Sequence, residues 1–497
     1  MFKIRSIAAA AALLILASVI LPACGESPGS ESPVSVTSAP ETGAAAEAET
    51  TEDGSNTGLI TRQMSGMDFE GREFRILGNE STDSLTKSVS NEIYYEEEVG
   101  EPLQDAVYTR NHRAEDLLNI RIKATFVDSP ASTIQNSVMA GDDEYDVAIT
   151  SLMNLGASAR KGHFRNFYAI KTMDLSQPWW DQNLINSFTL FGNKLYFING
   201  DINYRDDYSE CVNFFNKKLV ADFGFDNPYD LVDSGTWTID AMMAMADAFT
   251  RDLDGDGKLK IKDDAIGYGD NGDLIKHLIY AMGEKITEND EDGIPRVAMM
   301  TESHINKVQK LYDKVATNPN VYIGDNNSMA TALIEGRFLF YNECLGAYAQ
   351  FRDMEDDFGI LPQPKYDEAQ ERYCAYISNG WNTTYVIPIT NTDGDTTGII
   401  METMSALATD TIRHTLYDVL FNVKYARDEQ TARMVDYCVN SKVYDWSTDF
   451  GWLDSIVSCY NGMTKAKTFD FVSRVEKNRE KAEKQIEKLI ADFEAAE

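Results

Sequence analysis

Strand-like and helix-like patterns alternate along the first part of this chain. Residues 73–77 form a short β-type run, and residues 102–118 place apolar side chains on one side of a helix. Residues 120–127 alternate like a strand, residues 134–140 suit a second helix, and residues 145–150 form a buried strand. This order of strand, helix, strand, helix and strand predicts a parallel sheet flanked by helices.

The segment 212–269 combines three informative features. It opens with an aromatic strand-like run, VNFFN, and continues into a helix that Thr238 can cap and whose positive end suits Asp240. Apolar residues then recur at helical spacing, which predicts one buried face. These residues are Ile239, Met242, Met243, Ala246 and Phe249.

An acidic loop follows this helix directly and has the spacing of a calcium-binding loop. Aspartates occupy loop positions 1, 3, 5 and 12, a glycine occupies position 6, and position 7 offers its backbone carbonyl. The residues are Asp252, Asp254, Asp256, Gly257, Lys258 and Asp263. We predict one structural Ca²⁺ here and no organic cofactor. The alternative is an acidic surface turn, because Asp-Gly pairs form turns by themselves.

The N-terminus carries the features of an export signal. Lys3 and Arg5 form a basic region, residues 7–20 are apolar but too few for an ordinary membrane span, and Leu-Pro-Ala-Cys ends at Cys24. This resembles a bacterial lipoprotein signal, in which Cys24 becomes the lipid-modified first residue; the alternative is a secretory signal with an incidental cysteine. The stretch 24–66 is rich in small and polar residues, so we predict a disordered tether.

Length and charge narrow the class of protein further. The chain has 497 residues, 43% of them hydrophobic, which is enough for two lobes. Its formal net charge of -35 makes nucleic acid a poor partner. The remaining cysteines lack metal-binding spacing, and both disulfides and buried free thiols are compatible with their positions. They are Cys211, Cys344, Cys374, Cys438 and Cys459.

Several short motifs occur in an order known from one family. They are Asp105-Ala-Val-Tyr with Arg110-Asn111, Tyr145-Asp-Val, Asp174-Leu-Ser with Pro178-Trp179-Trp180, Phe214-Phe-Asn216-Lys217, Asn227-Pro-Tyr229, Gly235-Thr-Trp237-Thr238, the Asp252 loop and Gly359-Ile-Leu-Pro362. With these motifs and its leader, the chain resembles the extracellular solute-binding lipoproteins of bacterial ABC importers, in the sugar-binding class called family 1. The resemblance covers most of the chain after Met67.

The resemblance implies an α/β fold of the type II periplasmic-binding-protein kind, with two lobes joined by a hinge and each lobe built on a mainly parallel sheet flanked by helices. We expect a signal peptide over 1–23, an N-terminal lobe formed by 67–210 and 336–400, and a C-terminal lobe formed by 211–335 and 401–497.

The resemblance also implies a function. We expect a monomeric binding protein, not an enzyme, that captures a sugar or oligosaccharide in the cleft between the lobes. It would deliver this solute to the permease subunits of an ABC transporter. Lipidated Cys24 would hold it on the extracellular face of a bacterial, Gram-positive cell membrane.

Candidate ligand contacts follow from topology and from sugar chemistry. Ligands of open parallel sheets bind beyond the carboxyl ends of the strands, where amides and carboxylates can bond sugar hydroxyls. This rule selects Asn79, Glu80, Ser151, Asn154, Asn342 and Glu343. The apolar face of a sugar packs on aromatic rings, and Trp381 and Trp446 lie in polar, loop-like surroundings. Tyr204 and Asp206 lie in the predicted passage between the lobes.

Two other functions are compatible with the sequence. A lipid-anchored glycoside hydrolase needs only two carboxylates at a cleft, although the chain has neither a Gly-x-Ser-x-Gly elbow nor a His-Glu-x-x-His motif. A binding lipoprotein could also serve a sensor in place of an importer.

Overall fold

The computed structural model describes residues 55–80, 92–270, 274–351, 354–378, 380–418, 429–451 and 453–495. The predicted signal peptide and lipidation residue Cys24 lie outside these residues, as does the predicted tether up to residue 54. Among the described helices, we find none that is both long enough and apolar enough to cross a membrane.

The strands of the described chain are mostly short and are numbered here in chain order. They are β1 Arg72–Asn79, β2 Ile120–Val127, β3 Val147–Ser151, β4 Cys211–Asn216, β5 Ile266–Asp270, β6 Thr287–Asn289, β7 Pro295–Val297, β8 Val321–Ile323, β9 Phe338–Cys344, β10 Phe358–Leu361, β11 Ala375–Tyr376, β12 Thr383–Val386 and β13 Lys442–Val443.

The helices range from single turns to the long C-terminal helix. They are α1 Asn56–Met64, α2 Pro102–Leu118, α3 Pro130–Ala140, α4 Leu152–Ala159, α5 Gln182–Phe188, α6 Arg205–Tyr208, α7 Lys217–Asp222, α8 Pro228–Asp233, α9 Ile239–Phe249, α10 Leu274–Ala281, α11 Glu302–Leu311, α12 Asn326–Ile334, α13 Gly394–Ala408, α14 His414–Asp418, α15 Glu429–Val439, α16 Trp446–Asp449, α17 Asp454–Ala466 and α18 Phe471–Ala495.

The first sheet has the strand order β12-β3-β1-β2. Strand β1 is parallel to both β2 and β3, and β12 joins the edge antiparallel to β3. Helices α2 and α3 connect the parallel strands, as the alternating sequence pattern predicts. The buried side chains of these elements form the core of the first lobe.

The second sheet has the strand order β10-β4-β9-β5-β8. Strand β5 is parallel to β8 and β9, whereas β4 is antiparallel to both β9 and β10. This sheet is therefore mixed. Together the sheets and their flanking helices give the two-lobed α/β architecture that the sequence predicts.

The division of the chain between the sheets differs from the predicted boundaries. Residues 336–400 were expected in the first lobe, but β9 and β10 pair within the second sheet. Strand β9 lies between β4 and β5, and its buried side chains belong to second-lobe clusters. The segment 401–497, predicted to belong to the second lobe, is divided between both lobes, because Trp446 and Phe493 pack in the first-lobe core.

Helix α1 lies inside the stretch predicted to be a disordered tether. Ser55 caps this helix by accepting a 3.0 Å hydrogen bond from the Gly58 amide. Ile60 and Met64 are buried in the first-lobe core. The folded region therefore begins before the predicted boundary at 67, with a helix that starts at Asn56. Its two buried apolar side chains and a 3.2 Å hydrogen bond from Asn56 Nδ2 to Thr409 Oγ1 dock this helix.

A buried carboxyl group in α13 links this helix to the first-lobe core. The indole Nε1 of Trp180 donates a 3.0 Å hydrogen bond to Glu402 Oε2. Burial raises the pKa of Glu402 to about 7, although the hydrogen bond from Trp180 opposes this shift. The carboxyl group is therefore protonated in the folded protein over a pH range where it is ionised in the unfolded chain.

We expect the Glu402→Gln substitution to remove a pH dependence of stability. Because the folded protein holds the Glu402 proton more tightly, this group's contribution is complete below pH 4.5 and is lost as pH rises towards 7. At pH 8 the variant should be more stable than the wild type by about 3 kcal/mol, and at pH 4.5 the two should differ little. Urea unfolding at both pH values measures this, with exposed Glu355→Gln as the control. Equal pH slopes for wild type and Glu402→Gln would contradict the assignment.

Candidate ligand-binding site

Predicted ligand residues of the first lobe lie together at the carboxyl edge of its sheet. Thr150 Oγ1 donates a 2.7 Å hydrogen bond to Asn79 Oδ1, which connects the ends of β3 and β1. Asn154 Nδ2 donates a 2.7 Å bond to Ser151 Oγ, and Asn154 is exposed whereas Ser151 is buried. Glu80 follows β1 and is exposed. These positions offer amide, hydroxyl and carboxylate groups at one sheet edge.

The two predicted residues of the second lobe have different surroundings. Asn342 is buried, and its Nδ2 lies 3.3 Å from Tyr268 Oη and 3.4 Å from Gln363 Oε1. Its amide therefore belongs to a polar group within the second lobe. Glu343 is half-buried and accepts hydrogen bonds from Tyr341 Oη at 2.9 Å and from the Cys344 amide at 2.8 Å.

Two chain segments pass between the lobes side by side. The first contains α6 and leads into β4, and the second runs from β11 to β12. The Ser378 amide of the second crossover donates a 2.8 Å hydrogen bond to the Ser209 carbonyl of the first. In the second crossover, the Asn382 side chain accepts a 3.0 Å bond from Asn199 Nδ2. The two crossovers are therefore hydrogen-bonded to each other, and together they form the base between the lobes.

An aromatic group lies at this base, which we call the hinge aromatic cluster: Tyr204, Tyr208, Tyr348 and Trp381. The hydroxyls of Tyr208 and Tyr348 are 3.1 Å apart, and the rings of Tyr204 and Tyr208 are centred 5.2 Å apart. Gly346 lets Trp381 approach, because a Cβ there would lie 3.4 Å from the indole and 3.2 Å from Tyr208 Cβ. Trp381 and Tyr208 both stay partly exposed.

Two tyrosines of this cluster, Tyr204 and Tyr208, keep their hydroxyl protons at neutral pH. Burial raises the pKa of Tyr204 and of Tyr208 above the ordinary value for a phenol. Sequence reasoning selected Tyr204 and Trp381 but not Tyr208 or Tyr348. The spacing of Tyr204 and Tyr208 by four residues across a helical turn is the signal that could have identified Tyr208.

Trp446, the other predicted aromatic platform, lies outside the hinge aromatic cluster. Its ring is only 4% exposed, is stacked on Phe450 at 5.2 Å and contacts Phe188 edge-on at 4.9 Å. Its Nε1 donates a 3.2 Å hydrogen bond to Asn289 Oδ1. The predicted open platform at Trp446 is therefore corrected to a packing residue of the first-lobe core, because neighbouring aromatic rings enclose its faces.

Asp206 also lies in the first crossover, but it belongs to a buried ion group centred on Lys442 and not to the hinge aromatic cluster. The ammonium of Lys442 lies 2.7 Å from Asp206, 2.5 Å from Asp207 and 3.5 Å from Asp181. Burial alone would lower the pKa of Lys442, but these carboxylates hold it above its usual value. The lysine therefore carries its charge in a buried position, and Asp206 serves as its counter-ion.

A polar pocket of about 250 Å³ opens beside this ion group. Asp201 and Arg413, whose side chains are paired at 2.9 Å, form another part of its wall. The pocket is lined by Asp206 and Asp207 of the first crossover, so the charged groups around it connect this crossover to later parts of the chain.

The acidic loop brings three of its predicted ligands together. Single carboxylate oxygens of Asp252, Asp254 and Asp256 lie within 4.8 Å of one another, and all three side chains are exposed. The Asp252 carboxylate also accepts 2.7 Å hydrogen bonds from the amides of Gly255 and Gly257. Carboxylate oxygens of this kind are the ligands that Ca²⁺ takes in proteins.

The end of the acidic loop differs from the predicted pattern. Asp263 is exposed, whereas Asp264 accepts hydrogen bonds from the amides of Leu253 at 2.8 Å and Lys260 at 2.7 Å. Asp264 therefore closes the loop where the spacing selected Asp263. Lys258 donates its amide to Asp256 Oδ1 at 2.9 Å, and the Lys260 ammonium pairs with Asp254 at 2.9 Å.

Comparison with known proteins shows a similarity of fold. No family model matches the sequence, and no curated protein matches it. A cyclo/maltodextrin-binding protein complexed with maltotetraose is similar with a TM-score of 0.54 and 12% identity, over 86% of this chain and 97% of that chain. An ABC substrate-binding protein from Listeria monocytogenes in complex with cycloalternan is similar with a TM-score of 0.50 and 11% identity, over 86% of this chain and 98% of that chain. The chain therefore has the two-lobed fold of solute-binding proteins.

We expect Lys442→Met to destabilise the protein strongly. The substitution keeps an aliphatic side chain but leaves the Asp206 and Asp207 carboxylates without their buried cation, which should cost about 3 kcal/mol of unfolding free energy. Urea unfolding at pH 7 measures the loss.

Lys484→Met is the matched control, because Lys484 forms an exposed ion pair with Glu480 on α18. Such a pair contributes only a few tenths of a kcal/mol. The added substitution Asp206→Asn should recover part of the loss in Lys442→Met. A loss in Lys442→Met no larger than that in the control would show that the buried ion group does not stabilise the crossover.

Proposed function

We propose that this protein is an extracellular solute-binding protein that captures a sugar or oligosaccharide between its lobes and delivers it to an ABC permease. The observation that carries the proposal is the hinge aromatic cluster, placed at the base of a two-lobed fold beside the polar carboxyl edge of the first sheet. Two solved proteins of similar fold are complexed with maltotetraose and with cycloalternan.

The chemistry of these side chains suits a carbohydrate. A sugar ring has an apolar face that packs on a flat aromatic side chain, and Trp381 and Tyr208 are partly exposed for such contact. Sugar hydroxyls need both donors and acceptors, which Asn79, Ser151 and Asn154 provide. Protonated tyrosine hydroxyls add further donors at the base of the site.

The remaining parts of the proposal concern location and partners. We propose that Cys24 is lipidated and holds a monomer at the outer face of the membrane, where separate permease subunits receive the solute. The protein would bind without chemical conversion of its ligand. Incubation with maltodextrins tests this, because a glycoside hydrolase would release shorter products and a binding protein would not.

We expect Trp381→Ala to weaken maltotetraose binding about tenfold, since the variant loses one aromatic contact of about 1.4 kcal/mol. Isothermal titration calorimetry at neutral pH measures the change. Trp381→Phe should retain most of the affinity, because it keeps a flat ring. Tyr168→Ala is the control, because Tyr168 is 43% exposed and lies on a first-lobe turn outside the hinge aromatic cluster.

Circular dichroism verifies that each variant is folded before titration. Saturable binding to wild type with unchanged affinity in Trp381→Ala would remove Trp381 from the site. The proposed sugar class would itself be rejected if maltotetraose, other mono- and oligosaccharides and cyclodextrins all left the melting temperature of the wild type unchanged.

We further propose that the acidic loop binds one structural Ca²⁺ through Asp252, Asp254 and Asp256. We expect a weak site, with a dissociation constant of about 10⁻⁴ to 10⁻³ M. At a calcium concentration of about 10 mM, mass action should then stabilise the protein by about 1–3 kcal/mol. The melting temperature should rise with calcium and fall again with a chelator.

The double variant Asp254→Ala/Asp256→Ala should lose this response, and Asp116→Ala, at an exposed position of α2, should keep it. The loop would be only a surface turn if calcium left the melting temperature of the wild type unchanged.

A further inference from the structure

Two cysteines face each other where the first crossover enters the second sheet. Cys211 is the first residue of β4, Cys344 is the last residue of β9, and the antiparallel register pairs them directly. Both side chains are buried, with 3% and 4% exposure.

The ladder geometry around this pair suits a covalent link. The Leu345 amide donates a 2.8 Å hydrogen bond to the Glu210 carbonyl, immediately beyond the two cysteines. This bond places Cys211 and Cys344 at a non-hydrogen-bonded position of the antiparallel pair, where Cα atoms are about 4.5 Å apart and side chains are closest. Disulfides span Cα distances of about 4.4–6.8 Å, and the spacing typical of such a position lies within this range.

The other described cysteines have different settings. Cys438 is buried on α15, Cys374 precedes β11, and Cys459 lies on α17 near the Asn478 side chain. Within the sheets that the structure describes, Cys211 and Cys344 alone are cysteines in directly opposed positions. The remaining three therefore serve as internal controls.

We propose that Cys211 and Cys344 form a cross-strand disulfide when the protein meets a disulfide oxidant. In the reaction each thiol loses its proton, one sulfur–sulfur bond forms, and two electrons pass to the oxidant. With oxidised glutathione, exchange through a mixed disulfide releases two molecules of reduced glutathione. The inference uses only the strand register and does not depend on the proposed ligand.

The environment of the pair indicates when the bond forms. The contact with Cys211, together with burial, raises the pKa of the Cys344 thiol. Since the thiolate is the reacting species, exchange in the folded protein is slow. The bond therefore forms most readily during folding, before β4 and β9 enclose the two sulfurs.

The link would hold the base of the first crossover to the central strand of the second lobe. It closes a loop that contains residues 212–343, and constraining so long a loop in the unfolded chain favours the folded state. It also fixes the end of β9, which lies just before Gly346 and before Tyr348 of the hinge aromatic cluster. Oxidation therefore stabilises the edge of the second lobe that faces the crossovers.

The test compares full-length protein refolded in a glutathione redox buffer with protein kept reduced. After acid quenching and alkylation of free thiols in denaturant, peptide mass spectrometry should find Cys211 joined to Cys344, while Cys374, Cys438 and Cys459 are alkylated. The oxidised protein should melt about 5 °C higher than the reduced protein. Cys211→Ala/Cys344→Ala should show no such difference, whereas Cys438→Ala should retain it.

The mapping in the wild type does not require any variant to fold. Alkylation of both Cys211 and Cys344 after refolding in oxidant would overturn the proposal. A disulfide that joins either residue to a different cysteine would overturn it equally.

Discussion

A single buried carboxylate ties the two crossovers together. Glu92 is fully buried, and its Oε2 accepts hydrogen bonds from the backbone amides of Tyr204 at 2.9 Å and Arg205 at 3.0 Å. Its Oε1 accepts a hydrogen bond from the Thr383 hydroxyl. Burial raises the pKa of Glu92, while the Arg205 charge and these hydrogen bonds oppose the shift. One side chain thus accepts hydrogen bonds from the start of α6 in the first crossover and from the start of β12 in the second.

This arrangement explains why α6 can present two kinds of surface. Once Glu92 holds its first turn, Tyr204 and Tyr208 form part of the hinge aromatic cluster, whereas Asp206 and Asp207 meet Lys442. The aromatic part offers apolar faces and protonated hydroxyls near the polar sheet edge. The charged part holds a lysine from β13 and so anchors a segment more than two hundred residues away in sequence. A short helix therefore connects the candidate site to the packing of the C-terminal region.

The sequence predicted local elements well because their signals are local. Alternating periodicity identified the first sheet, and the capped helix from Thr238 is α9, with all five predicted apolar residues buried. Assignment of strands to lobes failed for β9 and β10, because nothing in a short apolar strand says which sheet it joins. Trp446 was misread for a related reason: its polar sequence neighbours Asp445 and Ser447 bond each other, and the ring turns into the core. The shift from Asp263 to Asp264 is a one-residue difference in the path of a loop, which spacing alone could not resolve.

The candidate site was harder to predict than the fold because its contacts join distant parts of the chain. Crossover backbone leaves both sheets and cannot complete its hydrogen bonds within a strand ladder, so buried side chains must supply partners. Asn203 Nδ2 donates to the Thr383 carbonyl at 3.1 Å, and the Ser441 hydroxyl donates to Glu210. Each of these pairs is separated by at least 180 residues. No short motif can reveal such pairs. Only in the structure do Glu92 and Glu210 stand out as fully buried acidic residues, and there they mark the hinge more directly than the acidic loop does.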